Sequence, residues 1–377
     1  DPTDLINPRS AVSGSSNLEI RDSKHLFLKL PDLENKISAF IDEHEAEWPV
    51  VVTSIARKWL KEGLRERCIT RDLKWGIPVP VDGFDGKVFY VWFDAPIEYI
   101  AATREWADKD PQKRDWKSWW YDAKDVRYIE FMAKDNIPFH TIMFPATLLG
   151  SKEPWKKVDY IKGFNWLTFY GGKFSTSQKR GIFTNQALDE FPADYWRYWL
   201  MANAPENSDS SFTFTSFSGM INKDLNDVLG NFVNRVLKMT AGKFSNEVPD
   251  GGQWGDLEKE FVKTLSARIA DYTKYMQAME FRKAMVELRA IWVEGNNYLT
   301  AAAPWTVIKE DREKAAMILR LALNLIRVYA VLSAPVIPNA SKEMMRLLNL
   351  DVADTAWIGS DTAEQLQVLK AGHTFNV

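Results

Sequence analysis

The sequence predicts an α/β part followed by an all-α part, an antiparallel helical bundle. Two observations predict it. Between Lys87 and Leu149 a β-rich run leads twice through a short turn into a helical repeat, the strand-turn-helix order of an α/β domain. After Pro205 the apolar residues fall in long helical periods with few β-branched runs, as expected of helices packed side by side with short connections. A length of 377 residues agrees with two or three domains.

In chain order, residues 1 to about 25 are rich in Asp, Pro, Ser, Gly and Asn, and Ser13-Gly14-Ser15-Ser16-Asn17 reads as loop. From Leu33 to Leu64 the apolar positions (Ile37, Phe40, Ile41, Val51, Ile55, Trp59, Leu60) follow a helical repeat broken at Trp48-Pro49, which gives two helices. Lys87 to Phe93 is a strand by composition and passes through Asp94-Ala95-Pro96 into a helix. Val126 to Met132 is the next strand, Ala133 to Asn136 its turn, and Pro138 to Leu149 the helix, with Pro in the first turn where its missing N–H costs nothing. Trp166 to Tyr170 is a third strand ending in Gly171-Gly172. The bundle then runs through Ile221 to Lys243, Leu257 to Met279, Arg282 to Leu299 and Lys314 to Leu332.

Composition narrows the function. With 48 Lys plus Arg against 51 Asp plus Glu, the net charge is −3, so a uniformly basic nucleic-acid binder is excluded and any polyanion site is a local patch. The best such patch lies between Gly150 and Ile182, where Lys152, Lys156, Lys157, Lys162, Lys173, Lys179 and Arg180 meet only Glu153 and Asp159. One cysteine, Cys68, allows no intramolecular disulfide and no Cys-rich zinc site, which points to a reducing, cytoplasmic compartment. No uninterrupted apolar run reaches 18 residues, and Asp1-Pro2-Thr3-Asp4 carries no basic start or apolar leader, so no membrane association is expected. Without an initiator Met, the chain reads as a piece of something longer.

Three groups of residues could carry chemistry. Gly171 to Gly181 combines mobile glycines, hydroxyl donors and three cations (Lys173, Lys179, Arg180), a composition that suits a loop closing over phosphates as well as an ordinary solvated turn. Its position after a strand and before an all-helical region favours the phosphate reading. Trp92, Pro96 and Tyr99 fall at i, i+4 and i+7 around a strand-to-helix turn, either ordinary core or one wall of an aromatic pocket. Asn136, His140 and Phe144 share one face of the next helix, where a lone histidine such as His140 is more often a satisfied core residue than a catalyst. The four histidines (His25, His44, His140, His373) form no metal-ligand pair, so no metal site is assigned and no zinc is expected.

The strings KVFYVWFDAPIEY (Lys87 to Tyr99), FMAKDNIPFHTIMFPATLLG (Phe131 to Gly150), GKFSTS (Gly172 to Ser177) and LGNFVNR (Leu229 to Arg235) give the chain a specific likeness: in order and spacing it resembles the methionyl-tRNA synthetases, a family of class I aminoacyl-tRNA synthetases. The resemblance implies the second half of a class I Rossmann-type catalytic domain followed by a helical-bundle anticodon-binding domain. It divides the chain into residues 1–30 (remnant of the connective insertion), 31–170 (second half of the catalytic domain), 171–220 (mobile phosphate loop and stem-contact junction) and 221–377 (anticodon-binding helices). Lys173-Phe174-Ser175-Thr176-Ser177 stands at the family's KMSKS loop, which implies ATP contacts from Lys173, Phe174 and Thr176 and catalytic roles for Lys173, Ser175 and Ser177. Thr176 replaces the second lysine, leaving Lys179 or Arg180 to supply that charge. Trp92, Ala95, Pro96, Tyr99, Asn136 and His140 match the methionine pocket, Lys134 and Asp135 the segment beside the adenosine, and Arg71 an arginine of the activation step. Asn231, Arg235 and Trp305 match the anticodon readers.

The resemblance thus implies ATP-dependent formation of methionyl-adenylate and transfer to tRNA(Met), with ATP, its Mg2+, L-methionine and tRNA(Met) as partners. A monomer or a homodimer is expected, or association with an N-terminal segment of the same enzyme. No two histidines lie within four residues of each other, so the family's HIGH motif is not in this sequence, nor are the insertion's zinc-binding cysteines. The chain therefore reads as a C-terminal part, inactive without the HIGH half. Two alternatives stay open: a non-catalytic tRNA-binding fragment, and a class I synthetase for leucine, isoleucine or valine. The latter should carry a large editing insertion, and none is visible between Trp92 and Phe131.

Overall fold

The structure, a computed structural model, describes residues 7–9, 14–17, 19, 21–351 and 356–377, so part of the segment expected at residues 1–30 lies outside the described residues. The described chain divides into two compact units, residues 1–163 and 164–377.

The first unit is built on helices packed over short strands. Helices Glu34–His44 and Val50–Lys61 form on either side of Trp48-Pro49, as the periodicity predicts, because Pro49 supplies no N–H to continue the first helix. Their apolar faces (Ile37, Phe40, Ile41, Val52, Ala56) meet Met132, Ile137, Ile142, Ala146, Val158 and Ile161 in one core. Trp48 is drawn in as well, and its indole N–H donates to the Asp159 carbonyl at 2.9 Å. Strand Ile129–Ala133 neighbours Tyr160–Phe164. Gly163 is required in the latter because a Cβ there would come within 2.8 Å of the Val52 side chain.

The strand expected from Lys87 to Phe93 is corrected. Of this run only Val88–Phe89 forms a strand, paired antiparallel with Thr70–Arg71, and Val91–Asp94 is a helical turn. The partner strand is two residues long, so beyond Tyr90, whose N–H donates to the Ile69 carbonyl, no ladder remains for the chain to join. It closes on itself instead, with Ala95 N–H donating to the Val91 carbonyl. The next strand-turn-helix unit forms as expected, except that the helix opens with a wider π-helical turn, Phe139–Met143, before Phe144–Ser151.

The second unit opens with a three-stranded sheet in which Leu167–Phe169 lies between Gly172–Lys173 (antiparallel) and Ser210–Phe212 (parallel). Tyr170 and Gly171 both have positive φ (49° and 78°), the conformation of a tight two-residue hairpin. The remainder is the expected bundle: Phe214–Met220, a π-helical stretch Ile221–Gly230, then Asn231–Phe244, Asp256–Gln277, Phe281–Ala302, Arg312–Ser333 and Pro338–Leu347. Helix Arg312–Ser333 is long and apolar enough to cross a membrane by length and composition, but it is the central helix of this core and is buried nearly all round. Close approach is made possible by Gly295, where a Cβ would meet the Tyr329 hydroxyl that donates to the Ile291 carbonyl at 3.1 Å. Asp194 caps helix Pro338–Leu347 by accepting from Ala340 N–H at 2.7 Å.

Candidate functional site

In the first unit the structure brings together the aromatic and polar residues singled out by spacing. The helical turn Val91–Asp94 presents Trp92, which stacks on Phe139 at 4.5 Å and 15° between ring planes. Pro96 is buried just before helix Ile97–Asp108, and Ala95 is half-buried beside it. One turn into that helix, the Tyr99 hydroxyl lies 2.9 Å from His140 Nε2, while His140 Nδ1 lies 3.0 Å from the Asn136 carbonyl oxygen. A carbonyl only accepts, so Nδ1 carries the proton, and burial lowers the His140 pKa and keeps the ring neutral. Nε2 therefore accepts from the Tyr99 hydroxyl. The Asn136 side-chain oxygen is buried and has no hydrogen-bond partner, an acceptor left over at the same place.

The Tyr99 ring is held edge-on by Tyr128 (6.5 Å) and by Phe144 (6.3 Å). The Tyr99 pKa is raised, first by burial and then by the charge of Glu130 and Glu98. Both Trp92 and Tyr99 keep one side open, with relative exposures of 38% and 39%. Both side chains are therefore partly open to solvent and not fully enclosed in the core. Asp135 is exposed and Lys134 half-buried. Arg71 is already engaged: its guanidinium sits 3.9 Å over the Tyr90 ring and donates to the Thr70 carbonyl at 2.8 Å.

In the second unit, residues 174–181 form a small hairpin. Ser175 and Arg180 exchange backbone hydrogen bonds at 2.9 Å, and Lys179 takes the left-handed conformation (φ 51°) that closes the turn. The Ser175 hydroxyl accepts from Gln178 N–H at 3.3 Å and lies 3.3 Å from the Ser177 hydroxyl. Gly181 has φ 128°, and a Cβ there would fall 2.3 Å from the Phe174 ring. Lys173, Phe174, Thr176, Ser177 and Lys179 are exposed. Arg180 folds back on the stem, donating from Nε to the Lys173 carbonyl at 2.6 Å, and the Lys173 ammonium lies 5.8 Å over the Trp166 ring.

The wider basic patch is corrected. Lys162 is buried, and Lys156 pairs with Asp159 at 2.7 Å, so the seven cations counted along the sequence do not present one solvent-facing field. Lys152 and the hairpin's Lys173, Lys179 and Arg180 stay exposed, and Lys157 is half-buried.

Among the anticodon candidates, Arg235 and Trp305 meet. The guanidinium lies 5.0 Å over the indole ring, at the edge of a groove of about 390 Å³ that Asn234, Lys238, Met239, Leu299 and Leu319 also line. Trp305 is 40% exposed and so is not buried between helices, and the nearby Asp227 carboxylate accepts from the Asn226 side chain. Asn231 is exposed at the start of its helix and does not line this groove. Sequence reasoning missed Asn234 and Lys238, although their i, i+4 spacing one residue from Arg235 was available. Among the described residues no three His, Cys, Asp or Glu side chains come together as a metal site.

Comparisons with known proteins divide the chain between residues 237 and 248, not at the 163/164 boundary of the two compact units. Residues 1–237 match the family described as tRNA synthetases class I (M), and residues 248–377 the one described as anticodon binding domain of methionyl tRNA ligase. The whole chain aligns at 57% identity with the methionine–tRNA ligase of Streptomyces avermitilis and with that of Cereibacter sphaeroides, spanning 67% of each relative. Among solved structures, Mycobacterium tuberculosis methionyl-tRNA synthetase in complex with methionyl-adenylate superposes with a TM-score of 0.79 at 22% identity. That match covers 93% of this chain and 67% of that one.

Proposed function

The chain belongs to the methionyl-tRNA synthetases, the class I methionine–tRNA ligases, and we propose that its first unit supplies the methionine side-chain site while its second supplies the phosphate loop and the anticodon reader. The observation that carries this reading is the Tyr99–His140–Asn136 chain beside the Trp92–Phe139 stack.

A thioether is a weak acceptor and a polarizable apolar group, so it is recognised by aromatic faces and one well-placed polar contact. Trp92 and Tyr99 provide the aromatic surface. Neutral His140 fixes the Tyr99 hydroxyl, whose lone pairs stay free to meet the ligand. Selection against leucine or isoleucine by shape alone is worth only about 1–3 kcal/mol, so this fixed polar group adds to the discrimination.

In the activation step a methionine carboxylate oxygen bonds to the α-phosphorus of ATP as the bond to the leaving pyrophosphate breaks. In the transfer step a tRNA 3′-terminal hydroxyl attacks the activated carbonyl and AMP leaves. Neither needs a covalent enzyme intermediate, so the protein's part is positioning and charge balance. Lys173, Lys179 and the hydroxyls of Ser175, Thr176 and Ser177 supply that balance at the hairpin, with Arg180 shaping its stem. Mg2+ enters as part of the Mg–ATP substrate. The Arg235–Trp305 groove receives an unstacked base of tRNA(Met), its indole acting as the stacking platform.

Methionine-dependent ATP–pyrophosphate exchange by the complete synthetase, reduced by substitutions at Trp92 and Tyr99, is the test. A second reading, tRNA binding without turnover by these 377 residues alone, is favoured by the absence of paired histidines from the sequence. It requires the isolated chain to bind tRNA(Met) yet show no exchange.

A further inference from the structure

We propose that Glu130 is a positioning residue for the methionine site: it holds Tyr128, and Tyr128 fixes the ring of Tyr99 and the direction of its hydroxyl. The proposal rests on the methionine-site reading above. Glu130 lies in strand Ile129–Ala133 and is only 6% exposed. One carboxyl oxygen accepts from the Tyr128 hydroxyl, and the other is buried with no hydrogen-bond partner. A carboxyl in such surroundings costs stability that an apolar residue would not, so its presence calls for a role.

The geometry supplies one. The Tyr128 backbone is clamped to Asp159, its N–H donating to the Asp159 carboxylate at 2.6 Å and its carbonyl accepting from Asp159 N–H at 2.9 Å. With the backbone fixed, the remaining freedom of the side chain is the swing of its ring. The bond to Glu130 removes that freedom at one end, and the edge-on contact with Trp120, at 4.8 Å, removes it along the ring. Tyr128 is then a rigid stop against the ring of Tyr99, which Phe144 also meets edge-on. Tyr99 can satisfy His140 in one orientation only, and its second lone pair points the same way in every molecule. Preorganisation of this kind shows in ligand affinity, because the free site has no rotamers to lose.

The test uses the complete synthetase and reads the KM for methionine and for ATP in pyrophosphate exchange. Tyr128→Phe keeps the ring and removes the bond, Glu130→Leu removes the acceptor, and Glu130→Gln retains one. Tyr128→Phe and Glu130→Leu should raise the methionine KM about three- to tenfold with the ATP KM unchanged, and Glu130→Gln should stay within about twofold of the parent. In the Tyr99→Phe background, where there is no hydroxyl to direct, Tyr128→Phe should add nothing. A folded Tyr128→Phe enzyme with the parent's methionine KM overturns the proposal, as does an effect that is fully additive with Tyr99→Phe or that raises both KM values equally. A parent without methionine-dependent exchange overturns the methionine-site reading itself, whereas a parent with exchange and unresponsive variants overturns only the role of Glu130.

Discussion

The Tyr99 hydroxyl lies 2.9 Å from Nε2 of His140, and the far side of that imidazole is tied to a main-chain carbonyl. The direction of both hydrogen bonds is therefore set by the backbone at Asn136. Tyr99→Phe deletes one neutral hydrogen bond, whose net worth is about 0.5–1.5 kcal/mol. The methionine KM of the complete synthetase should rise about three- to tenfold, with the ATP KM unmoved. Equal rises in both would show that Tyr99 serves the fold and not the ligand.

Trp92 depends on a different interaction. Its ring stacks on Phe139 in a near-parallel arrangement and remains over one-third exposed, so little core is lost on truncation. Trp92→Ala should leave the melting temperature within a few degrees of the parent while lowering kcat/KM for methionine. Trp92→Phe, which keeps a stacking surface, should recover much of it. Normal kinetics in a folded Trp92→Ala protein would return Trp92 to plain packing.

Two buried titratable groups in the first unit give opposite pH dependences of stability. Burial pushes the Glu130 carboxyl up to about 7, against the opposing hydrogen bond from Tyr128. Between the ordinary carboxylate range and that value the folded state binds more protons than the unfolded one, so stability falls as pH rises and the full penalty, about 3 kcal/mol, is present above pH 7. Burial lowers His140 instead, so the folded state binds fewer protons and stability falls as pH drops below about 6.5. Denaturant unfolding of the 377-residue chain should therefore find Glu130→Gln more stable than the parent at pH 8 and equal to it near pH 4. A parent-like Glu130→Gln at pH 8 would mean that the carboxyl is not desolvated.

Much of this arrangement was legible in the sequence. Helical periods located the bundle and the first two helices, because a buried stripe every 3.6 residues leaves its mark whatever the tertiary context. The strand at Lys87 to Phe93 was misjudged because β-rich composition needs a partner, and the partner's two-residue length is a tertiary fact. The π-helical turns at Phe139–Met143 and Ile221–Gly230 were invisible, since over one or two turns their apolar spacing hardly differs from that of an α-helix. Glu130 was missed for a sharper reason. In strand Ile129–Ala133 alternation assigns the charge to solvent and Phe131 to the core, yet Glu130 and Met132 are buried and Phe131 is 54% exposed.

The phosphate hairpin gives a test of Lys173 against Arg180. Lys173 is exposed and its ammonium makes only a distant contact with Trp166, whereas Arg180 is bonded to the hairpin's own stem. Lys173→Ala should lower kcat far more than it changes the ATP KM, as expected of a charge that matters most in the transition state. Arg180→Ala should act through a loosened hairpin, so Arg180→Lys, which cannot reproduce the Nε donor, should not rescue it. Full rescue by lysine would make Arg180 the replacement for the cation missing at Thr176.

The bundle offers the cleanest separation of binding from chemistry. The Arg235 guanidinium lies over the Trp305 ring, both line the groove, and Trp305 is 40% exposed. Stacking a base on an aromatic ring is worth about 1–3 kcal/mol, and the loss of this platform should weaken aminoacylation of tRNA(Met) by Trp305→Ala about ten- to a hundredfold. Arg235→Ala should lose both its own contact and the support of the ring, whereas Arg235→Lys keeps the charge but not the planar stack and should recover only part. Pyrophosphate exchange requires no tRNA, so each of these variants should run it at the parent's rate. Measuring both reactions on one preparation separates the outcomes. A parallel fall in exchange would mean that Trp305→Ala damages the fold, and an unchanged ratio of charging between wild-type and anticodon-mutant tRNA would remove Trp305 from recognition altogether.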